Sequence, residues 1–151
     1  MAQSLARLHV HVVFSTKNRE AFLANVSLRG EMHAYLASVL KAHGSPAVLV
    51  GGTADHVHLL CDLSRTHAVA DVVREAKRSS SRWAKTKGQS LGAFQWQKGY
   101  GAFAVSFSNV PQVCAYLENQ DEHHERTSFQ DEFRAFLRKH GIEFDEGYVW
   151  D

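Results

Sequence analysis

His56-Val57-His58-Leu59-Leu60-Cys61-Asp62 is the stretch on which the fold turns. Neighbouring side chains of a strand point to opposite faces. As a strand, this run sets His56, His58 and Leu60 on one side and Val57, Leu59 and Cys61 on the other. Residues 7–14 repeat the pattern, with Val10, Val12 and Phe14 alternating with His9, His11 and Val13. Two strands with one apolar and one histidine-bearing face call for helices on the apolar side. The histidine side then needs a cover of its own, from later helices of the chain or from a partner.

Working outward, a helix is predicted from about Leu28 to His43, with Met32, Leu36, Val39 and Leu40 on one stripe and Gly44 as its stop. Ala47–Val50 reads as a short strand, and Gly51-Gly52 with Asp55 as the turn into His56. A second helix is expected from about His67 to Lys87, capped by Thr66, with Val69, Val72, Val73 and Ala76 inward. Residues 94–97 and 102–107 read as an interrupted strand or hairpin. Asn109 caps a third helix, with Pro111 in its first turn, running to about His124. Thr127 and Gln130 fit a capping box for a fourth helix that ends at Gly141. The first six elements give an α+β fold: a ferredoxin-like, RRM-like antiparallel sheet with two helices on one face. In that arrangement the first and third strands are neighbours, so His9, His11, His56 and His58 share the open face. C-terminal helices are added beyond it.

The 151 residues suit one domain, expected over 1–151, and 44% of them are hydrophobic. A formal net charge of +1 supplies no overall basic field, so a polyanionic partner must meet a local patch. Cys61 and Cys114 lie in no metal or disulfide spacing and read as thiols of a reducing compartment. No signal peptide and no apolar run of membrane length is visible, and a cytoplasmic protein is expected.

Two imidazoles on one strand face can share a divalent ion and leave open positions for a reacting group. Tyr116 and Gln120 are four residues apart, so on a helix they reach one site. A glutamine oxygen beside two histidines suits Mg²⁺ or Mn²⁺. The ion would polarise a phosphoryl oxygen, and the phenol oxygen would attack phosphorus. Taken singly, each feature also has an ordinary reading: strand histidines as stacked surface groups, Tyr116 as rim packing, Gln120 as solvated surface. His123 and His124 read as surface residues near a helix end. The basic run Arg74, Lys77, Arg78 and Arg82 reads either as a solvated helix face or as a phosphate-tracking patch. Trp83, Trp96, Tyr100 and Phe103 are its candidate stacking partners.

Several stretches together resemble a known family. They are His11-Val-Val-Phe-Ser-Thr-Lys17-Asn-Arg19, Asp55-His56-Val57-His58, Lys77-Arg78-Ser-Ser-Ser-Arg-Trp83 and Gln97-Lys-Gly99-Tyr-Gly101-Ala-Phe103. They continue with Tyr116-Leu-Glu-Asn-Gln120, Glu132-Phe133 and Tyr148-Val-Trp150. In order and over nearly the whole chain they resemble the single-tyrosine HUH transposases of small bacterial insertion sequences and their palindrome-associated relatives. The resemblance implies a homodimer acting on single-stranded DNA hairpins. It implies His56, His58 and Gln120 as ligands of Mg²⁺ or Mn²⁺, and Tyr116 as the nucleophile that forms a 5′-phosphotyrosine and frees a 3′-hydroxyl. Lys17, Arg19, Arg74, Lys77, Arg78 and Arg82 are the expected DNA contacts. Only the second histidine of His9-Val10-His11 falls on the family pattern, so His9 reads as incidental and His11 as a supporting residue. The rival class is a non-catalytic hairpin binder on the same sheet, which would need the basic helix but not the histidine pair. A more distant rival is a metal-dependent hydrolase without a covalent step.

Overall fold

A computed structural model describes residues 2–124 and 126–151. Four strands, β1 (His9–Ser15), β2 (Ala47–Gly52), β3 (His56–Asp62) and β4 (Gly101–Ala104), form one antiparallel sheet in the order β2-β3-β1-β4. β1 and β3 are central neighbours, with Val12 opposite Leu59 and Phe14 opposite Val57. The neighbouring of the first and third strands is that of the ferredoxin-like arrangement expected from the element order.

The apolar faces behave as their periodicity dictates. Val12, Phe14, Val57, Leu59 and Cys61 are buried against α1 (Val26–Ala42) and α2 (Val69–Ala84). Met32, Leu36, Val39 and Leu40 enter from α1, and Val72, Val73 and Ala76 from α2. Trp96 and Phe103, weighed as base-stacking candidates, are buried core residues. Trp96 meets Phe14 edge-on.

The opposite face is closed by the chain itself. α3 (Val110–Glu118), α4 (Gln120–His124) and α5 (Phe129–Lys139) follow β4. Phe129, Phe133 and Leu137 of α5 pack with Val13 and Phe103 into a second core. The histidine face is therefore buried: His11, His56 and His58 are each 2% exposed or less.

Element ends differ from the sequence reading where caps compete. α1 starts at Val26 because the Asn25 side chain accepts from the Leu28 amide. Thr66 does not cap α2; its hydroxyl and amide both bond to Ser64, and the helix begins after Ala68. α5 is capped one residue later than expected, by Ser128 accepting from the Asp131 amide. The expected third helix breaks at Asn119, so Tyr116 and Gln120 lie on separate helices. Gly44 and Gly141, at φ +65° and +67°, terminate α1 and α5 as their sequence positions suggest.

Candidate active site

β3 delivers His56 and His58 side by side, their rings 5.1 Å apart. Each is turned by a partner on its Nδ1. His56 Nδ1–H donates to the Asp55 carboxylate at 2.7 Å. His58 Nδ1 shares a hydrogen bond of 2.8 Å with His11 Nε2. Partners of this kind fix the orientation of ligating imidazoles. Both Nε2 atoms consequently face one point beneath α4 and α5. His56 Nε2 lies 3.1 Å from Gln120 Oε1. His58 Nε2 lies 3.0 Å from Glu132 Oε1.

Glu132 anchors the other side. Its Oε2 accepts from the Tyr116 hydroxyl, from His124 Nε2 at 3.1 Å and from Gln120 Nε2 at 3.4 Å. His124 Nε2 also bonds Gln120 Oε1 at 3.0 Å. One ligand atom each from His56, His58, His124 and Glu132 falls within 4.8 Å of all the others. This donor set of imidazole nitrogens and oxygens suits a divalent cation.

The protonation states follow from burial and pairing. Burial pushes the Glu132 carboxyl upward, but the bonds from His124 and His58 outweigh it and hold the group well below the usual carboxylate range. Burial lowers His58 despite the opposing Glu132. His11 falls to about 3, through burial first and the adjacent His58 second. His124 is raised, because the Glu132 bond outweighs its partial burial. Burial and the facing Glu132 carboxylate hold the Tyr116 phenol well above its ordinary range, so it is protonated in this arrangement.

The cluster lies between two recesses. One, about 510 Å³, runs past Tyr116 between α3 and α5 and is lined by Val113, Ala135 and Phe136. The other, about 490 Å³, is lined by Arg19, Arg29, Asp55 and His124. A third cleft of about 770 Å³ runs along α2 and gathers Lys17, Arg74, Lys77, Arg78, Lys85 and Lys98. Arg82 is exposed but does not line it. The Lys77 ammonium is turned inward, donating to the carbonyls of Gln97, Lys98 and Gly99 at 2.9, 3.1 and 2.7 Å. It shapes the cleft wall. Arg74 and Arg78 pair with Asp71 and Glu75 and remain exposed.

His56, His58, Tyr116 and Gln120 thus come together as the sequence suggests. The surface reading of His123 and His124 is overturned: His124 joins the cluster, and His123 packs on Tyr116 with ring centroids 5.1 Å apart. Glu132 was missed as a chemical residue. Its signal was a carboxylate on the apolar stripe of an amphipathic helix, between Phe129 and Phe133, where a hydrophobe is expected.

A histidine pair on one central strand of a four-stranded sheet, facing a tyrosine from a covering helix, defines the kind of protein. A sequence profile described as "Transposase IS200 like" matches residues 4–120. The chain belongs to the IS200-like transposase family. It is 25% identical over 121 residues to the ISDra2 transposase TnpA of Deinococcus radiodurans, covering 77% of this chain and 86% of that protein. A 1.90 Å crystal structure from the same organism, assigned as a transposase, superposes with a TM-score of 0.61 at 26% identity. It covers 80% of this chain and 95% of that one. A REP-associated tyrosine transposase bound to a REP hairpin shares the fold, with a TM-score of 0.59 at 13% identity over 82% of this chain and 74% of that one.

Proposed function

We propose that this protein, acting as one HUH endonuclease domain over 1–151, cleaves and rejoins single-stranded DNA at hairpin-bearing element ends. Tyr116 is the nucleophile, and His56, His58 and Gln120 hold the divalent ion, Mg²⁺ or Mn²⁺. One observation carries the reading: both histidine Nε2 atoms and the Tyr116 hydroxyl converge on one buried cluster. The cluster fits a cation. In the neutral tautomer that donates Nδ1–H to Asp55, His56 turns its Nε2 lone pair toward Gln120 Oε1, itself an acceptor. Two electron-pair donors facing each other are reconciled by a positive charge between them.

When bound, the ion polarises a phosphoryl oxygen and holds the scissile group. The protein's part is to orient and attack. The Tyr116 oxygen gives up its proton and bonds to phosphorus while the P–O3′ bond breaks, leaving a 5′-phosphotyrosine and a departing 3′-oxygen that takes up a proton to become the 3′-hydroxyl. A 3′-hydroxyl from the partner junction then attacks that phosphorus and returns the phenol. Lys17, Arg74 and Arg78 line a cleft suited to backbone phosphates, with Lys77 shaping its wall. Arg19 beside the cluster and Arg82 on the exposed face of α2 extend this surface. The hairpin in the REP-associated relative supports hairpin DNA as the substrate. A homodimer and a cytoplasmic location are proposed with it. Among the described residues no helix is long and apolar enough to cross a membrane.

The test mixes the protein with labelled single-stranded hairpin DNA from the flanks of its own gene, with Mg²⁺, Mn²⁺ or chelator, on denaturing gels. A metal-dependent protein–DNA adduct, lost in Tyr116→Phe while hairpin binding persists, is expected. An adduct that survives Tyr116→Phe would remove the nucleophile assignment. Hairpin binding without any adduct would favour a binding protein.

A further inference from the structure

We propose that Glu132, from α5, is the anionic ligand of the divalent ion and ties that ion to the nucleophile through its two carboxylate oxygens. This rests on the reading that His56 and His58 hold the ion. Glu132 lies beyond residues 4–120, the stretch that matches the family profile.

The geometry divides the carboxylate between two tasks. Oε1 faces the histidine pair, 3.0 Å from His58 Nε2 and 3.6 Å from His56 Nε2. Oε2 faces the Tyr116 hydroxyl and His124. Ligands about 2.1 Å from a small divalent ion, at right angles to one another, stand about 3 Å apart. The separations from His56 Nε2 to Gln120 Oε1 and from His58 Nε2 to Glu132 Oε1 are 3.1 and 3.0 Å. Glu132 Oε1 and the donor atoms of the histidine pair and Gln120 thus share one small volume. Positions remain for a phosphate oxygen.

The setting argues against a purely architectural carboxylate. Glu132 is 3% exposed, beside the buried Phe129 and Phe133 of its own helix. A buried charge contributes little to stability compared with an apolar side chain of its size, so its presence calls for another use. Its charge also matches the need of the site, since two imidazoles and an amide oxygen bring no negative charge to a dication. With Oε1 on the ion and Oε2 on the phenol, one rigid side chain sets the distance between the ion and the attacking oxygen.

Mn²⁺ binding, followed by the EPR signal of the free ion and by the rise in thermal midpoint on adding Mn²⁺, tests this without recourse to activity. Wild type, His56→Ala, Glu132→Gln and Glu132→Asp are compared. We expect Glu132→Gln to weaken Mn²⁺ binding by about tenfold or more and to shrink the Mn²⁺-induced rise. Glu132→Asp, which keeps the charge on a shorter arm, should recover part of both. A merely structural Glu132 would lower the midpoint of the ion-free protein but leave the Mn²⁺ affinity and increment intact, and that result overturns the proposal. If Glu132→Gln does not fold, Glu132→Asp alone decides, because wild-type affinity in it overturns the ligand role. Loss of binding in His56→Ala with full retention in Glu132→Gln leaves the ion site standing and removes Glu132. Unchanged binding in His56→Ala removes the ion site and the proposal together.

Discussion

His33 shows how a single buried ring outside the ligand cluster couples stability to pH. It sits on α1 with its Nε2 atom buried and without a hydrogen-bond partner among the described residues. Burial, and then the nearby Arg29, lower it from 6.5 to about 4. The folded protein therefore holds His33 neutral between about pH 4 and 6.5, where the unfolded chain takes up a proton. More protons on the unfolded state means that stability rises with pH across this window and falls as the solution is acidified. The thermal midpoint should drop from pH 6.5 to 4, and His33→Leu should make that drop shallower; an equal drop in the variant would place the acid sensitivity elsewhere. Lys77 is the opposite case, a charge retained inside the structure by three carbonyls. Burial draws it down to about 8. Lys77→Met keeps a side chain of similar length but removes the ammonium that lies 4.9 Å from the Phe14 ring centroid and strands the carbonyls of the segment before β4. A loss of about 1.5–3 kcal/mol in urea unfolding is expected. A variant as stable as wild type would return Lys77 to the pool of free DNA contacts.

At the scale of elements, Tyr116 is placed by a glycine. A Cβ on Gly51 of β2 would come within 2.8 Å of the Leu117 carbonyl oxygen, so α3 rests directly on the strand backbone. Leu117 is buried next to Tyr116, and any lift of α3 moves the phenol relative to β3. Gly51→Ala should cost about 1–3 kcal/mol and reduce adduct formation far more than hairpin binding. Equal losses in both would mean that the strand contact is only structural. The same elements show which parts of the molecule were legible in the sequence. β1 and β3 were readable because a period of two separates Val12 and Phe14 from His11 without reference to anything distant. The histidine pair and the approach of Tyr116 and Gln120 came from equally local spacing. The break at Asn119 carries no proline or glycine to announce it, and the α2 start depended on a local contest between Thr66 and Ser64. Glu132 and His124 escaped because their chemistry is set by partners far along the chain, 74 residues in the pair of Glu132 with His58.

Taken whole, the molecule uses both faces of one sheet: α1 and α2 back it with a packed core, and α3–α5 enclose the histidines on the other side. The net charge of +1 means that attraction to DNA must come from local clusters, one of which lines the cleft along α2. Arg74→Ala and Arg78→Ala, each removing one exposed cation there, should reduce the salt slope of hairpin binding by about one. An unchanged slope would make their pairs with Asp71 and Glu75 the whole of their role. The enclosure of the site has a further consequence for assembly. Tyr116, with its ring 6.1 Å from that of His58 in the same chain, reaches the histidine pair without help from a second subunit. A dimer built from this arrangement carries two complete and independent sites. Mixing Tyr116→Phe with His58→Ala protein would then pair one subunit lacking the proposed nucleophile with another lacking a proposed ion ligand, and neither would hold a whole site. No adduct should form in the mixture, even after subunits are exchanged by mild denaturation and refolding. Recovery towards a quarter of wild-type adduct would mean that α3 of one subunit serves β3 of the other when DNA is bound.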